Sequence, residues 1–173
     1  MVELSTIRDV VAIFSFAIGL TYYIMVLRNQ QKNQKHAEET RKIQLLYLNN
    51  QFMREPNSNL HWNNMFSMEW ENYDDFMAKY GWENNPEFYD GRTSIWRMMN
   101  FSGLLVRDGL IDVSNHVQYT GDLDPIVWSK FKNIIEEMRI RMDSPELYIG
   151  MEILAKEVDK YRVSKGLKPK GTP

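Results

Sequence analysis

The chain has 173 residues, the size of one domain, and its 43% apolar and 25% charged residues are close to the globular average. It contains no Cys, which excludes disulfides, thiolate metal sites and cysteine nucleophiles. Residues 43–173 carry 15 basic and 19 acidic side chains, so the sequence predicts no nucleic-acid partner, because a net negative surface repels phosphate.

The first element is the apolar run Val10–Leu27, VVAIFSFAIGLTYYIMVL, which contains no charged residue. A helix of this length measures about 27 Å, close to the hydrocarbon thickness of a bilayer. A cleaved signal peptide would have a basic start and a small-residue cleavage site, whereas residues 1–9 hold Glu3 and Asp9 against Arg8 and no such site follows. A buried core helix would show a polar stripe, and this run has none. The run therefore predicts an uncleaved signal-anchor, a single-pass transmembrane helix over residues 10–27.

The side chains of this helix are expected to contact lipid, which makes the bilayer the first predicted partner. The Ser15-x-x-x-Gly19 spacing is a small-xxx-small pattern that would allow a homo-oligomer through the span, although a lipid-facing helix is the favoured interpretation. The predicted anchor residues are Val10, Phe14, Gly19, Tyr22, Tyr23 and Leu27.

The charges on the two sides of the span differ. One basic residue, Arg8, precedes it, and five basic residues follow it closely. The positive-inside rule therefore places the C-terminal side in the cytoplasm and residues 1–9 on the outer side of the cell membrane. The five flanking residues are Arg28, Lys32, Lys35, Arg41 and Lys42.

Residues 28–53 are predicted to continue the membrane helix as a juxtamembrane stem. Residues 28–42 are polar on every side, free of Gly and Pro, and carry a net charge of +3. An apolar stripe then begins and is expected to dock onto the following domain, and the helix ends before Pro56, because the residue preceding a Pro avoids the α region. The stripe consists of Ile43, Leu45, Leu46, Leu48, Phe52 and Met53.

Residues 54–165 are predicted to form a cytoplasmic all-helical domain. Their apolar residues recur at three-to-four spacing, and no segment alternates at period two, so no sheet is expected. The first helical segment covers residues 58–80, with a break allowed near Glu71-Asn72, and Gly81 stops it.

The second and third helical segments have clear start and stop signals. Pro86 suits a first helical position, and that helix is predicted to run to Arg107 and to be closed by Gly109. Asp112 is predicted to cap a short helix that extends through Tyr119.

The last two helices are predicted from repeated start signals. Asp124 is expected to be the N-cap of a helix with Pro125 in its first position. The motif Ser144-Pro145-Glu146 is expected to start the final helix, which stops before Gly166, and residues 166–173 are expected to be a disordered basic tail. The apolar face predicted for the helix after Asp124 consists of Val127, Phe131, Ile134, Ile135, Met138 and Met142.

Several short motifs resemble one group of proteins. They are Thr40-Arg41-Lys42-Ile43-Gln44-Leu45, Trp70-x-x-Tyr73-x-Asp75-Phe76, Phe101-x-Gly103-Leu104-Leu105-Val106-x-x-Gly109-Leu110-Ile111-Asp112, and Trp128-x-x-Phe131-x-x-Ile134-Ile135 with Arg139. With the membrane span, this pattern resembles archaeal and bacterial single-pass membrane proteins of unknown function that have a cytoplasmic all-helical domain. The resemblance covers most of residues 10–160 and implies this fold, and the group supplies no catalytic residues.

Seven acidic residues and one basic residue, Lys79, lie in the segment 69–90. Paired carboxylates can bind a divalent cation or act as acid and base, and the candidate metal ligands are Glu69, Asp74 and Asp75. However, the segment has neither calcium-loop spacing nor the Glu-x-x-His di-iron pattern. A solvated acidic face, or a surface for a basic partner, is therefore the favoured interpretation.

The three histidines, His36, His61 and His116, have no zinc-site spacing. Each is predicted to be an ordinary surface or cap residue.

The sequence contains no phosphate-binding glycine loop, catalytic serine motif or kinase signature, so no cofactor and no catalytic residue are predicted. Two function classes remain. The favoured one is a membrane-tethered helical interaction module, or an accessory subunit of a membrane complex, that binds another protein. The alternative is a membrane-anchored enzyme that uses the acidic segment 69–90, with or without a divalent metal.

Overall fold

The computed structural model describes residues 4–49 and 57–171. Over these residues the chain is helical and contains no strand, as the sequence predicts. The chain divides into two compact units, Met1–Ile43 and Gln44–Pro173. The helices are α1 (Leu4–Asn49), α2 (Ser58–Ser67), α3 (Tyr73–Tyr80), α4 (Pro86–Arg107), α5 (Val113–Thr120), α6 (Asp124–Arg141) and α7 (Ile149–Ser164).

Helix α1 contains the apolar run and, among the described residues, is the one helix long and apolar enough to cross a membrane. No side chain in its most apolar stretch is buried. The helix continues without a break from the apolar run through Arg28 to Asn49, as the sequence predicts for the stem. Residues 50–53, the predicted end of the stem, lie outside the described residues.

The apolar stripe at the end of α1 is only partly described. Leu45, which belongs to the second unit, is half-buried and packs against Leu105 and Ile111 of that unit. Ile43 is exposed. The other four members of the predicted stripe lie outside the described side chains, and they are Leu46, Leu48, Phe52 and Met53.

The break predicted within residues 58–80 separates α2 from α3. The backbone is extended at Met68 and again at Asn72, so the five residues between the two helices leave the helical path. The Asn72 side chain then accepts a hydrogen bond from the Asp75 backbone N–H at 3.0 Å and caps α3.

The core of the second unit is aromatic. Helix α4 packs against α2 and α7, and α6 packs against α3 and α7. The fully buried ring of Phe131 lies with its centre 5.1 Å from the rings of both Trp70 and Trp96 and 6.3 Å from that of Phe76. Aromatic pairs at these separations add to the stabilisation that burial alone provides, so this cluster joins α3, α4 and α6.

Helices α4 and α7 cross where two glycines meet. A Cβ atom added to Gly103 would overlap the backbone carbonyl of Gly150, and one added to Gly150 would overlap the backbone carbonyl of Asn100. The Gly150 N–H also donates to the Asn100 side-chain oxygen at 2.8 Å. The two backbones can approach this closely only because neither glycine carries a side chain.

The predicted apolar face of α6 is confirmed except at its end. Val127, Phe131, Ile134 and Ile135 are buried, and Met138 is half-buried against them. Met142 is exposed, so its predicted burial is wrong. The helix ends at Arg141, and Met142 is the C-cap residue, which no longer follows the helical periodicity.

The start of the final helix is also a correction. Residues 145–148 form turns, and α7 begins only at Ile149. Tyr148 has a left-handed backbone (φ 53°), which interrupts the helix, and its ring lies edge-on at 5.3 Å from that of Trp96. The Leu147 carbonyl accepts a hydrogen bond from the Arg139 Nε at 2.9 Å. These tertiary contacts stabilise the turn over residues 145–148, although the local motif Ser144-Pro145-Glu146 favours a helix start there.

The C-terminal segment is ordered where the sequence predicts a disordered tail. Asp159 accepts hydrogen bonds from the backbone N–H groups of Lys170 and Gly171, at 2.8 and 3.2 Å. The Lys170 ammonium also pairs with Asp122 at 2.5 Å. The C-terminal segment is therefore bonded to Asp159 of α7 and to Asp122 within the second unit. Residues 172–173 lie outside the described residues.

Candidate functional site

The first candidate site is the surface of α1 between Val10 and Leu27. All six predicted anchor residues are exposed, and Val26 is the only residue of this run that is half-buried. A large apolar side chain gains about 1.5–3 kcal/mol when it leaves water, so a continuous apolar surface favours contact with another apolar phase. The hydroxyl of Thr21 donates to the Ala17 carbonyl at 2.8 Å, which satisfies this polar group within the helix itself.

The basic flank of this run is also exposed. None of its five residues forms an ion pair with another described residue, and their positive charges face solvent. Gly19, the second small residue of the small-xxx-small pattern, has no atom within 4 Å of an added Cβ, so a single copy of the chain leaves that position open. The flank consists of Arg28, Lys32, Lys35, Arg41 and Lys42.

The three candidate metal ligands in the acidic segment do not form a shared site. The Asp75 carboxylate accepts from the Lys79 ammonium at 2.8 Å and from the Glu71 backbone N–H at 3.0 Å, and these hydrogen bonds lower the pKa of Asp75. Glu69 is exposed, and its backbone, not its carboxylate, contacts Lys79 and Tyr80. Within the described residues, no three side chains of His, Asp or Glu are grouped so that they could hold a metal ion.

Asp74, the third candidate ligand, is paired with a residue from a distant helix. Arg141 donates to Asp74 at 2.6 Å and to Glu137 at 2.7 Å, and its guanidinium lies 4.3 Å from the centre of the Tyr73 ring. The hydrogen bonds to Asp74 and Glu137 raise the pKa of Arg141. A shallow cleft of about 310 Å³ runs along these residues. In this cleft, the carboxylates of Asp74 and Glu137 are thus paired with a protein cation, Arg141.

A buried guanidinium, that of Arg92, lies in the second unit. Arg92 is 2% exposed, and its guanidinium lies 4.5 Å from the centre of the Phe76 ring, 4.8 Å from that of Trp96 and 5.3 Å from that of Tyr89. Its Nε and Nη1 atoms have no hydrogen-bond acceptor among the described residues. Burial lowers the pKa of Arg92 to about 10. The aromatic faces therefore supply the attraction that a carboxylate would otherwise provide.

His116 contradicts the prediction that every histidine is a surface or cap residue. It is fully buried, and its Nε2 lies 3.0 Å from the Asp124 Oδ2 and 2.9 Å from the Thr120 Oγ1. Asp124 is buried by this pairing and does not cap α6, whose N-cap is Leu123. The pair links α5 to the first turn of α6, and no spacing rule in the sequence reveals it. His61 is half-buried against Gly91, and His36 is exposed near Glu39.

No protein-family model, curated protein or solved structure matches this chain. The resemblance drawn from the sequence motifs therefore stays a prediction.

Proposed function

We propose that this protein is a single-pass membrane protein whose second unit, Gln44–Pro173, is a helical interaction module held on the cytoplasmic side. The observation that carries the proposal is the exposed, charge-free surface of α1 between Val10 and Leu27. Ten residues of this run are Val, Ile, Leu or Phe. The free energy of inserting these ten side chains into a bilayer is favourable by about 3–6 kcal/mol in all, and the run contains no charged residue that would oppose insertion.

The cytoplasmic orientation rests on the exposed basic flank that follows the run. Five basic side chains lie in residues 28–42, directly after the run, and one, Arg8, lies before it. Because these side chains form no ion pairs with other described residues, their charges are available to the anionic inner leaflet.

The structure favours an interaction module over an enzyme because the acidic segment is already neutralised in part by the chain's own cations. Asp74 is paired with Arg141 and Asp75 with Lys79, so these two candidate metal ligands are bound to protein cations, and among the described residues no three His, Asp or Glu side chains are grouped as a metal site. The second unit has its own aromatic core and can present a rigid surface to a partner at the membrane.

The orientation can be measured directly, because the natural chain has no Cys and each introduced thiol is unique. Ser5→Cys places a thiol before the span, and Ser129→Cys places one on the exposed face of α6. In intact cells, a membrane-impermeant maleimide is expected to label the Ser5→Cys variant and to leave the Ser129→Cys variant unlabelled.

Permeabilised cells provide the control, in which both variants must react. Labelling of the Ser129→Cys variant in intact cells, with protection of the Ser5→Cys variant, would show that the second unit lies outside and that the proposed orientation is wrong.

A further inference from the structure

A cleft of about 390 Å³ lies where α3 ends and the loop to α4 begins. The loop that forms its wall is ordered by two backbone hydrogen bonds, since the Gly81 carbonyl accepts from the N–H groups of Asn84 and Asn85 at 3.2 and 2.9 Å. Gly81 itself is buried, and a Cβ added there would overlap the Met77 carbonyl. The chain can therefore turn tightly at this point, which leaves the next residue on the surface. The cleft is lined by Met77, Ala78, Gly81, Trp82, Glu83 and Asn84.

Trp82 is the most exposed tryptophan described, at 63%. Its ring has no aromatic or cationic neighbour among the described residues, in contrast to Trp70 and Trp96 in the core. Trp82 does not belong to the buried core, so packing in the core does not explain its position. Exposed tryptophans of this kind are enriched at the centres of protein interfaces.

The surroundings of this cleft are acidic. The segment 69–90 has a net charge of −6, and Glu83 lines the cleft itself. Asp74 and Asp75 are paired with cations of the chain, whereas the exposed carboxylates of Glu83, Glu87 and Asp90 form no ion pair with any described residue. An indole face and the unpaired carboxylate of Glu83 in one cleft match the chemistry of a lysine or arginine side chain, whose charge is attracted by both.

We propose that the Trp82 cleft is the docking surface for a Lys/Arg-rich segment of a partner protein. The proposal rests on the proposed function, because it names the surface through which the interaction module binds. The Trp82 ring receives the stem and the charge of one basic residue, and Glu83, with Glu87 and Asp90 nearby in sequence, attracts the rest of the segment. Charge complementarity selects this occupant over an acidic or purely apolar segment.

The test uses the full chain in nanodiscs of neutral phosphatidylcholine, so that no anionic lipid competes for the probe. The probe is a fluorescent Lys/Arg-rich peptide, and binding is measured by anisotropy. A peptide with Glu at every Lys and Arg position is the control probe. We expect the basic peptide to bind, the acidic one not to bind, and added salt to weaken the binding.

Substitutions then locate the binding surface. Trp82→Ala is expected to weaken binding about tenfold or more while the melting curve stays unchanged, because the side chain is exposed. The double variant Glu83→Gln and Glu87→Gln is expected to weaken binding and to reduce its salt dependence. Met142→Ala, which removes another exposed apolar side chain at a distant position in the sequence, is the matched control and should bind like the parent.

Absence of peptide binding, equal binding by Trp82→Ala, or equal binding of the acidic peptide would overturn the proposal. Self-association of the full chain that is lost in Trp82→Ala, without peptide binding, would also overturn it, because the occupant would then be a second copy. All of these results leave membrane anchoring intact, so failure of the docking proposal is distinguishable from failure of the proposed function.

Discussion

Replacing Gly103 by Ala is expected to destabilise the second unit by more than about 3 kcal/mol, because the added methyl group meets backbone on the other helix. The new Cβ would overlap the Gly150 carbonyl, and neither helix can yield without moving its whole backbone. Separation of the helices would also break the hydrogen bond from the Gly150 N–H to Asn100. Thermal unfolding of a chain that begins at Gln44, followed by circular dichroism, should show a midpoint lower by roughly 10 °C or more.

Gly109→Ala is the matched control for this substitution. It adds the same methyl group at a position with φ +68° and no atom within 4 Å. Its expected cost is only the strain of a left-handed alanine, about 1–2 kcal/mol. If Gly103→Ala melted at the same temperature as the parent or above Gly109→Ala, the close crossing of α4 and α7 would be wrong.

Phe131→Ala should cost about 3–5 kcal/mol, since it removes a fully buried ring and leaves a cavity between three helices. Trp70 and Trp96 would each lose a neighbour at 5.1 Å, and Phe76 would lose one at 6.3 Å. The expected fall in the melting midpoint is roughly 10 °C or more in the same chain beginning at Gln44.

Phe101→Ala, which truncates a phenylalanine that is 42% exposed on α4, should lower the midpoint much less. Equal melting of Phe131→Ala and the parent would mean that the ring is on the surface. It would then be a candidate binding residue instead of a core residue.

Helix ends that depend on local chemistry were predictable from the sequence. Pro86 starts α4 because its fixed φ and missing N–H suit the first turn. Gly109, just after the C-cap residue of α4, has a positive φ and so turns the chain away from the helix. Asp112 caps α5, and its carboxylate accepts from the Ser114 N–H at 2.7 Å. In each case the deciding atoms lie within a few residues of one another.

Features that depend on distant partners were not predictable in this way. Asp124 precedes Pro125 as an N-cap residue would, but its carboxylate is hydrogen-bonded to His116, which belongs to α5. Tyr148 adopts a left-handed backbone within an expected helix start, and its ring packs on Trp96. Periodicity alone assigns no place to a cation such as Arg92 inside an aromatic core.

The candidate sites show the same difference between features set by local sequence and features set by distant partners. The apolar run over residues 10–27 was visible in composition alone, because a bilayer selects for length and absence of charge. The ion pair between Asp74 and Arg141 could not be predicted from the sequence, since the two residues lie 67 positions apart. The exposure of Trp82 depends on how tightly the chain turns at Gly81, which only the fold shows.

The most direct test of the central claim, that α1 anchors the protein in a membrane, is extraction of isolated membranes with alkaline carbonate. Two chains are compared in the same cells: the full chain and one that begins at Gln44. A helix that spans the bilayer is held by its apolar contact area and not by surface charge, so the full chain should remain in the membrane pellet. The shortened chain should be recovered in the soluble fraction. Release of the full chain into the carbonate supernatant would contradict the account.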